Sequence, residues 1–150
     1  MNTAPADDTT TPADAAPQDA ASQEAASSPD PVARLAMMTL DAAETAPMAA
    51  FWHGVLGWPI SYQDEDYAML TGPSSALGIG RIPDFQPPAW PDAGIKQYHL
   101  DLAVTDLEAA AARCVELGAT RPAQQPGSTW IVLLDPAGHP FCLTDASAWG

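Results

Sequence analysis

Positive charge is scarce in this sequence: five Lys and Arg residues stand against 19 Asp and Glu, for a formal net charge of -14. Such a field repels phosphate backbones, which excludes a nucleic-acid-binding role. Cysteine is scarce too. Cys114 and Cys142 are the only two, one on a predicted helix and one on a predicted strand, which argues against a disulfide framework or a zinc ribbon, and both are read as reduced. No apolar run approaches the length of a membrane span, and the N-terminus lacks the basic and apolar regions of a secretory signal, so a cytoplasmic protein is expected. Nucleotide chemistry has no fingerprint either. There is no nucleophile elbow or phosphate loop, and Gly78-Ile79-Gly80 lacks the third glycine and the following helix of a dinucleotide site.

Residues 1–31 contain no aromatic residue and no Leu, Ile or Val, and carry six acidic residues and no basic one. They cannot bury enough apolar surface to offset chain entropy, so a disordered acidic tail is expected. Residues 32–150 remain, enough for one domain with a core that needs no staples.

Within that domain the pattern runs twice through the same elements, an α+β arrangement. Arg34 to Ala42 alternates as a strand, with Met37, Thr39 and Asp41 on one face. A helix follows, with Pro47 in its first turn, Met48, Phe51, Trp52, Val55 and Leu56 forming a wide apolar stripe, and Gly57 as the stop. Three short strands are expected at Trp58 to Tyr62, Tyr67 to Thr71 and Ala76 to Arg81, divided by the turns Asp64-Glu65-Asp66 and Gly72-Pro73-Ser74-Ser75. Residues 82–96, with four prolines, form a connection. Gln97 to Val104 then reads as a strand with Tyr98, Leu100, Leu102 and Val104 on one face and His99 and Asp101 on the other. Thr105 and Glu108 suggest a capping box for a helix ending at Gly118. Strands are expected again at Ala119 to Pro122, Trp130 to Leu134 and Pro140 to Asp145, the last two joined by Asp135-Pro136-Ala137-Gly138. The landmarks of the halves, Glu44 and Asp106, Leu56-Gly57 and Leu117-Gly118, Leu70 and Leu134, recur at a nearly constant offset. A duplication accounts for this, with modules at about 34–81 and 97–145.

The segments Leu40 to Glu44, Ala50-Phe51-Trp52, Leu56-Gly57-Trp58, His99 to Leu102, Asp106-Leu107-Glu108 and Asp135 to Cys142 together resemble the vicinal oxygen chelate superfamily in its glyoxalase-like branch. The resemblance implies two βαβββ modules whose sheets curve around a cavity, often in chains that pair as a homodimer. Its metal-dependent members place a ligand on the first and the last strand of each module, usually His or Gln on the first and Glu on the last. The matching positions here are Met37, Gly78, His99 and Cys142. Met37 and Gly78 do not supply what Mg, Mn, Fe or Zn needs, and two remaining donors are too few for a catalytic site. No cofactor and no family-type metal is therefore expected, with a divalent metal in an unusual ligand set as the alternative.

His99 and Asp101 share a strand face with Cα atoms about 6.5–7 Å apart. They are candidates for proton transfer near neutral pH, or a vestigial pair that satisfies its own hydrogen bonds. Met37, Thr39, Asp41, Gly78, Trp90, Trp130, Cys142 and Thr144 are candidate ligand-binding residues. Asp41 suits a cationic or hydroxylated group, or is a solvated strand end. Cys142 reads as a small buried hydrophobe, Trp90 and Trp130 as aromatic walls, and Gly78 and Gly80 as space for a ligand. Phe51 and Trp52 belong to the core, and His53 and His139 are given no catalytic role. The expected function is metal-independent binding of a small organic molecule in a mostly apolar cavity, with His99 and Asp101 as its polar anchors and an acidic surface that favours a cationic compound. The alternatives are a lyase, isomerase or hydrolase using His99, and a dimeric interaction module without small-molecule activity. No nucleic-acid or membrane partner is expected.

Overall fold

The computed structural model describes residues 35–90 and 98–148. The expected tail, and Arg34 and Gln97 at the starts of two expected strands, lie outside them, as does the end of the proline-rich connection. In chain order the elements are β1 (Met37–Ala42), α1 (Thr45–Leu56), β2 (Ile60–Gln63), β3 (Tyr67–Thr71), β4 (Ala76–Arg81), β5 (Leu100–Val104), α2 (Leu107–Glu116), β6 (Trp130–Leu134), β7 (Pro140–Asp145) and a single 3-10 turn, Ala146–Ala148. Among the described residues no helix is long and apolar enough to cross a membrane.

The first sheet has the order β1-β4-β3-β2 and the second β5-β7-β6. In each, the strand before the helix lies parallel to the last strand of its module, β1 to β4 and β5 to β7. That is the crossover of a βαβββ-like module, run twice. Its helices are stopped by backbone geometry that only glycine takes freely: Gly57 has φ 69° and Gly118 φ 116°. At the start of α2 the side chain of Asp106, not the expected Thr105, accepts a hydrogen bond from the Ala109 N–H at 3.0 Å. A carboxylate is the stronger cap for the positive end of a helix. Glu108, the expected partner in a capping box, instead takes both Nη groups of Arg121 at 2.6 and 3.0 Å. Those Arg121 hydrogen bonds hold its carboxyl below the usual range.

The strand expected at Ala119 to Pro122 is reduced to one bridge, Thr120 to Leu134. Pro122 has no N–H to continue a ladder, and a side chain takes its place. Gln125 Oε1 accepts from the Val132 N–H at 2.9 Å while its Nε2 donates to the Val132 carbonyl at 3.0 Å. The amide thus pairs with β6 as a strand backbone would.

One core serves both modules. On the inner side of the first sheet, Ala68, Leu70, Leu77 and Ile79 are buried against the Met48, Phe51 and Trp52 stripe of α1. Phe141 from β7 joins them, its ring centroid 5.3 Å from Trp52 and 6.0 Å from Phe51 in edge-to-face contacts. Leu143 and Leu133 continue this core under the second sheet. The other sheet faces carry the residues of interest for function.

Candidate functional site

Register places one row of residues after another across the outer face of the first sheet. Thr39 lies opposite Gly78 and Gly78 opposite Met69, while Asp41 lies opposite Gly80 and Gly80 opposite Tyr67. Because strand side chains alternate, Met37, Thr39, Asp41, Tyr67 and Met69 all stand on this face. Tyr67 starts in the row of Gly80 and reaches across β4. Its hydroxyl donates to Met37 Sδ at 2.9 Å and fills the space over Gly78, where a Cβ would collide with it and stand 2.9 Å from Thr39 Oγ1. The aromatic ring therefore lies against Gly78, while the Asp41 carboxylate stands beside Gly80, its Oδ1 3.3 Å from where a Cβ there would stand. The Tyr62 ring follows at 6.3 Å from Tyr67.

The turn beneath these rings is fixed by Asp64. Its carboxylate accepts from the Tyr62 hydroxyl and from the N–H groups of Asp66 and Tyr67. The Tyr62 hydrogen bond first, then those backbone donors, hold Asp64 below the usual carboxylate range, and the same contact pushes the Tyr62 phenol up.

The second sheet presents a different chemistry. Asp101 on β5 pairs in register with Cys142 on β7, and Cys142 with Val132 on β6. His99 stands just before β5, its Nε2 3.5 Å from Asp101 Oδ2. One ligand atom from each of His99, Asp101 and Cys142 falls within 4.8 Å of the others. Cys142 is 2% exposed, so the expectation of a buried thiol holds, while the other two side chains stay partly open to solvent.

The remaining expected site residues divide. The Thr144 hydroxyl donates to the Leu102 carbonyl at 3.3 Å and ties β5 to β7. Trp130 is 37% exposed and its indole lies over Gly127, while Trp90 is half-buried at the end of the described connection. Tyr98, expected to share the inward face of Leu100, is 90% exposed, because β5 starts only at Leu100. His53 and His139 have structural partners: His53 Nδ1 meets the Trp58 carbonyl at 2.7 Å and His139 Nδ1 the Asp135 carboxylate at 3.0 Å. Hollows of about 340 and 410 Å³ lie against the helices, and neither is lined by Met37, Gly78, His99 or Cys142.

The four positions of a family-type metal site thus separate by sheet. Met37 is engaged by Tyr67 and Gly78 lies beneath it, so the first module does not fit the donor set. The second module keeps His99 and Cys142 and adds Asp101, which counting by position had not included. Tyr67, the residue that decides the first face, was also missed. Its signal was the register of the β3–β4 hairpin, which puts an aromatic residue across from alternating glycines.

Comparison with known proteins agrees with this architecture. Among curated proteins none matches the chain. Solved structures that resemble it include a glyoxalase/bleomycin resistance protein/dioxygenase family enzyme from Burkholderia phytofirmans PsJN, 19% identical, with a TM-score of 0.59 over 76% of this chain and 99% of that one. A lactoylglutathione lyase from Agrobacterium tumefaciens is 16% identical, with a TM-score of 0.55 over 81% of this chain and 99% of that one. A bleomycin resistance determinant encoded on the transposon Tn5 is 21% identical, with a TM-score of 0.51 over 75% and 98%. These likenesses show the fold. A family model for the glyoxalase-like domain matches residues 37–144, and with the duplicated βαβββ module on the page the chain belongs to the glyoxalase-like domain family of the vicinal oxygen chelate superfamily.

Proposed function

We propose that this domain binds a small, positively charged organic molecule, with Tyr67 as the floor of the site and Asp41 as its charged anchor. The observation that carries the reading is the Tyr67 ring laid over Gly78 and held there by Met37. Aromatic face and carboxylate together suit an ammonium group, whose attraction to a ring at a solvent-open site is about 0.5–1 kcal/mol. The net charge of -14 adds long-range attraction for such a ligand. Binding here uses no ion shared between the modules, because Met37 and Gly78 offer none of the donors that such an ion needs. Thermal-shift and calorimetric screening with quaternary ammonium and aromatic amine probes tests this. Tyr67→Ala and Asp41→Asn are each expected to weaken the best probe about two- to fivefold, while Tyr67→Phe keeps most of the affinity. A neutral analogue binding equally well, or unchanged affinity in both variants, would overturn the reading.

A second reading, an enzyme that moves a proton through His99, is supported by the 3.5 Å approach of Asp101 to its Nε2. A carboxylate there orients the ring for proton exchange with a bound substrate. For any substrate that is turned over, kcat against pH is then expected to show an inflection that His99→Ala abolishes. Turnover with an unchanged pH profile in that variant would remove His99 from the chemistry.

A further inference from the structure

We infer that the second module holds its own site for a thiophilic divalent cation of the zinc type, built from the His99 imidazole, the Asp101 carboxylate and the Cys142 thiolate. It is separate from the organic-cation site proposed on the first sheet and does not rest on it.

Geometry comes first. Tetrahedral zinc with bonds of about 2.0 Å to nitrogen and oxygen and about 2.3 Å to sulfur sets its donors roughly 3.3–3.6 Å apart. His99 Nε2 and Asp101 Oδ2 are already at 3.5 Å, and all three donors lie within 4.8 Å of one another. Closing the set requires Cys142 and its partners to converge by about 1 Å, a shift within side-chain rotation. Asp101 and Cys142 are cross-strand neighbours on β5 and β7, so the sheet fixes the spacing of their backbones and leaves their side chains to rotate toward a shared ion. His99 lies just outside the strand and has the freedom to close on them.

The donors also select the ion. One nitrogen, one anionic oxygen and one sulfur suit zinc and its neighbours, whereas magnesium and calcium prefer oxygen alone. Three protein ligands leave a fourth position, and the partly exposed side chains of His99 and Asp101 mark the side from which a cation and a water reach the buried sulfur. Asp101 is what separates this set from the positions implied by family resemblance, because it completes in one module what otherwise needs two.

The test is titration of the tag-free full chain, stripped of metal and reduced, with Co2+ and Zn2+ against a metallochromic competitor. Expected are one equivalent bound at micromolar Kd or tighter, a near-ultraviolet thiolate-to-cobalt charge-transfer band, four-coordinate visible bands, and a higher melting temperature with Zn2+. Cys142→Ser should abolish the charge-transfer band, and Cys114→Ser should keep it. His99→Ala and Asp101→Asn should each weaken binding at least about tenfold, and excess Mg2+ should not compete. The far-ultraviolet circular dichroism of each metal-free variant reports its fold. If Cys142→Ser is unfolded, the exposed-side variants His99→Ala and Asp101→Asn decide the matter. Absence of saturable binding below millimolar Zn2+, a charge-transfer band that survives in folded Cys142→Ser, or wild-type affinity in both other variants would overturn the inference.

Discussion

Truncating Phe141 to Ala is expected to destabilise the domain by about 3–5 kcal/mol. The size follows from its place: Phe141 is 1% exposed and packs edge to face on Trp52 and Phe51, so its removal opens a cavity between the helix of one module and the last strand of the other. Neither side collapses easily into that space, because Trp52 is itself 1% exposed and held by Phe51 at 5.2 Å. For a domain of this size the loss lowers the melting temperature by on the order of 10–20 °C. Urea unfolding followed by tryptophan fluorescence checks it, with a single transition at lower midpoint and unchanged slope as the expected result. Two separated transitions in the wild-type chain would show that the modules do not share a core. So would a cost under about 1 kcal/mol.

Asp135→Ala is the second large effect, at about 2–4 kcal/mol. The Asp135 side chain is fully buried, and its Oδ1 accepts from the N–H groups of Ala137 and His139 at 3.0 and 2.9 Å. Its Oδ2 meets His139 Nδ1 at 3.0 Å, while Phe85 covers the imidazole at 5.4 Å between ring centroids. Removing the carboxylate strands these donors inside the protein, and the turn also depends on Gly138 at φ 91°. Asp135→Asn retains an acceptor for the two backbone groups and is expected to lose less. His139→Ala should cost about 1 kcal/mol, as the loss of one partner at a partly exposed position. Chemical denaturation of the three variants ranks them, and an Asp135→Ala midpoint equal to wild type would show that the turn is fixed by its backbone alone.

Where side chains alternate between paired strands, the sequence was a good guide. The bounds of β3, β4, β6 and β7 match the expected strands, since each is flanked by a turn whose residues dictate its geometry, and α1 follows its apolar stripe to Gly57. Strand beginnings were harder to read, because a strand lasts only as long as its partner. Alternation continues back to Arg34, but β4 starts at Ala76, opposite Met37, and the ladder stops with the Ala36 carbonyl accepting from Ala76. For β5 the register runs from Leu100 opposite Phe141, which leaves His99 level with Pro140, a residue without an N–H to offer. The missing strand after α2 was illegible for a different reason: a glutamine side chain imitates backbone only when the fold brings it alongside Val132. The site followed the same division. Single residues such as His99, Asp101, Asp41 and Cys142 were visible as candidates, but which of them meet depended on parallel register between strands far apart in the sequence. The filling of Gly78 by Tyr67 depended on a ring crossing from a neighbouring strand.

The Gln125 amide has a consequence for how this domain tolerates change. A paired backbone segment must keep its spacing residue by residue, since one inserted residue turns every later side chain to the opposite face. A lone amide at the border of the second sheet imposes no such counting. Residues 126–129 therefore carry no register, and variants that lengthen or shorten this stretch while keeping Gly127 under the Trp130 indole leave the ladder of β6 and β7 intact, making it the natural place to splice in foreign sequence.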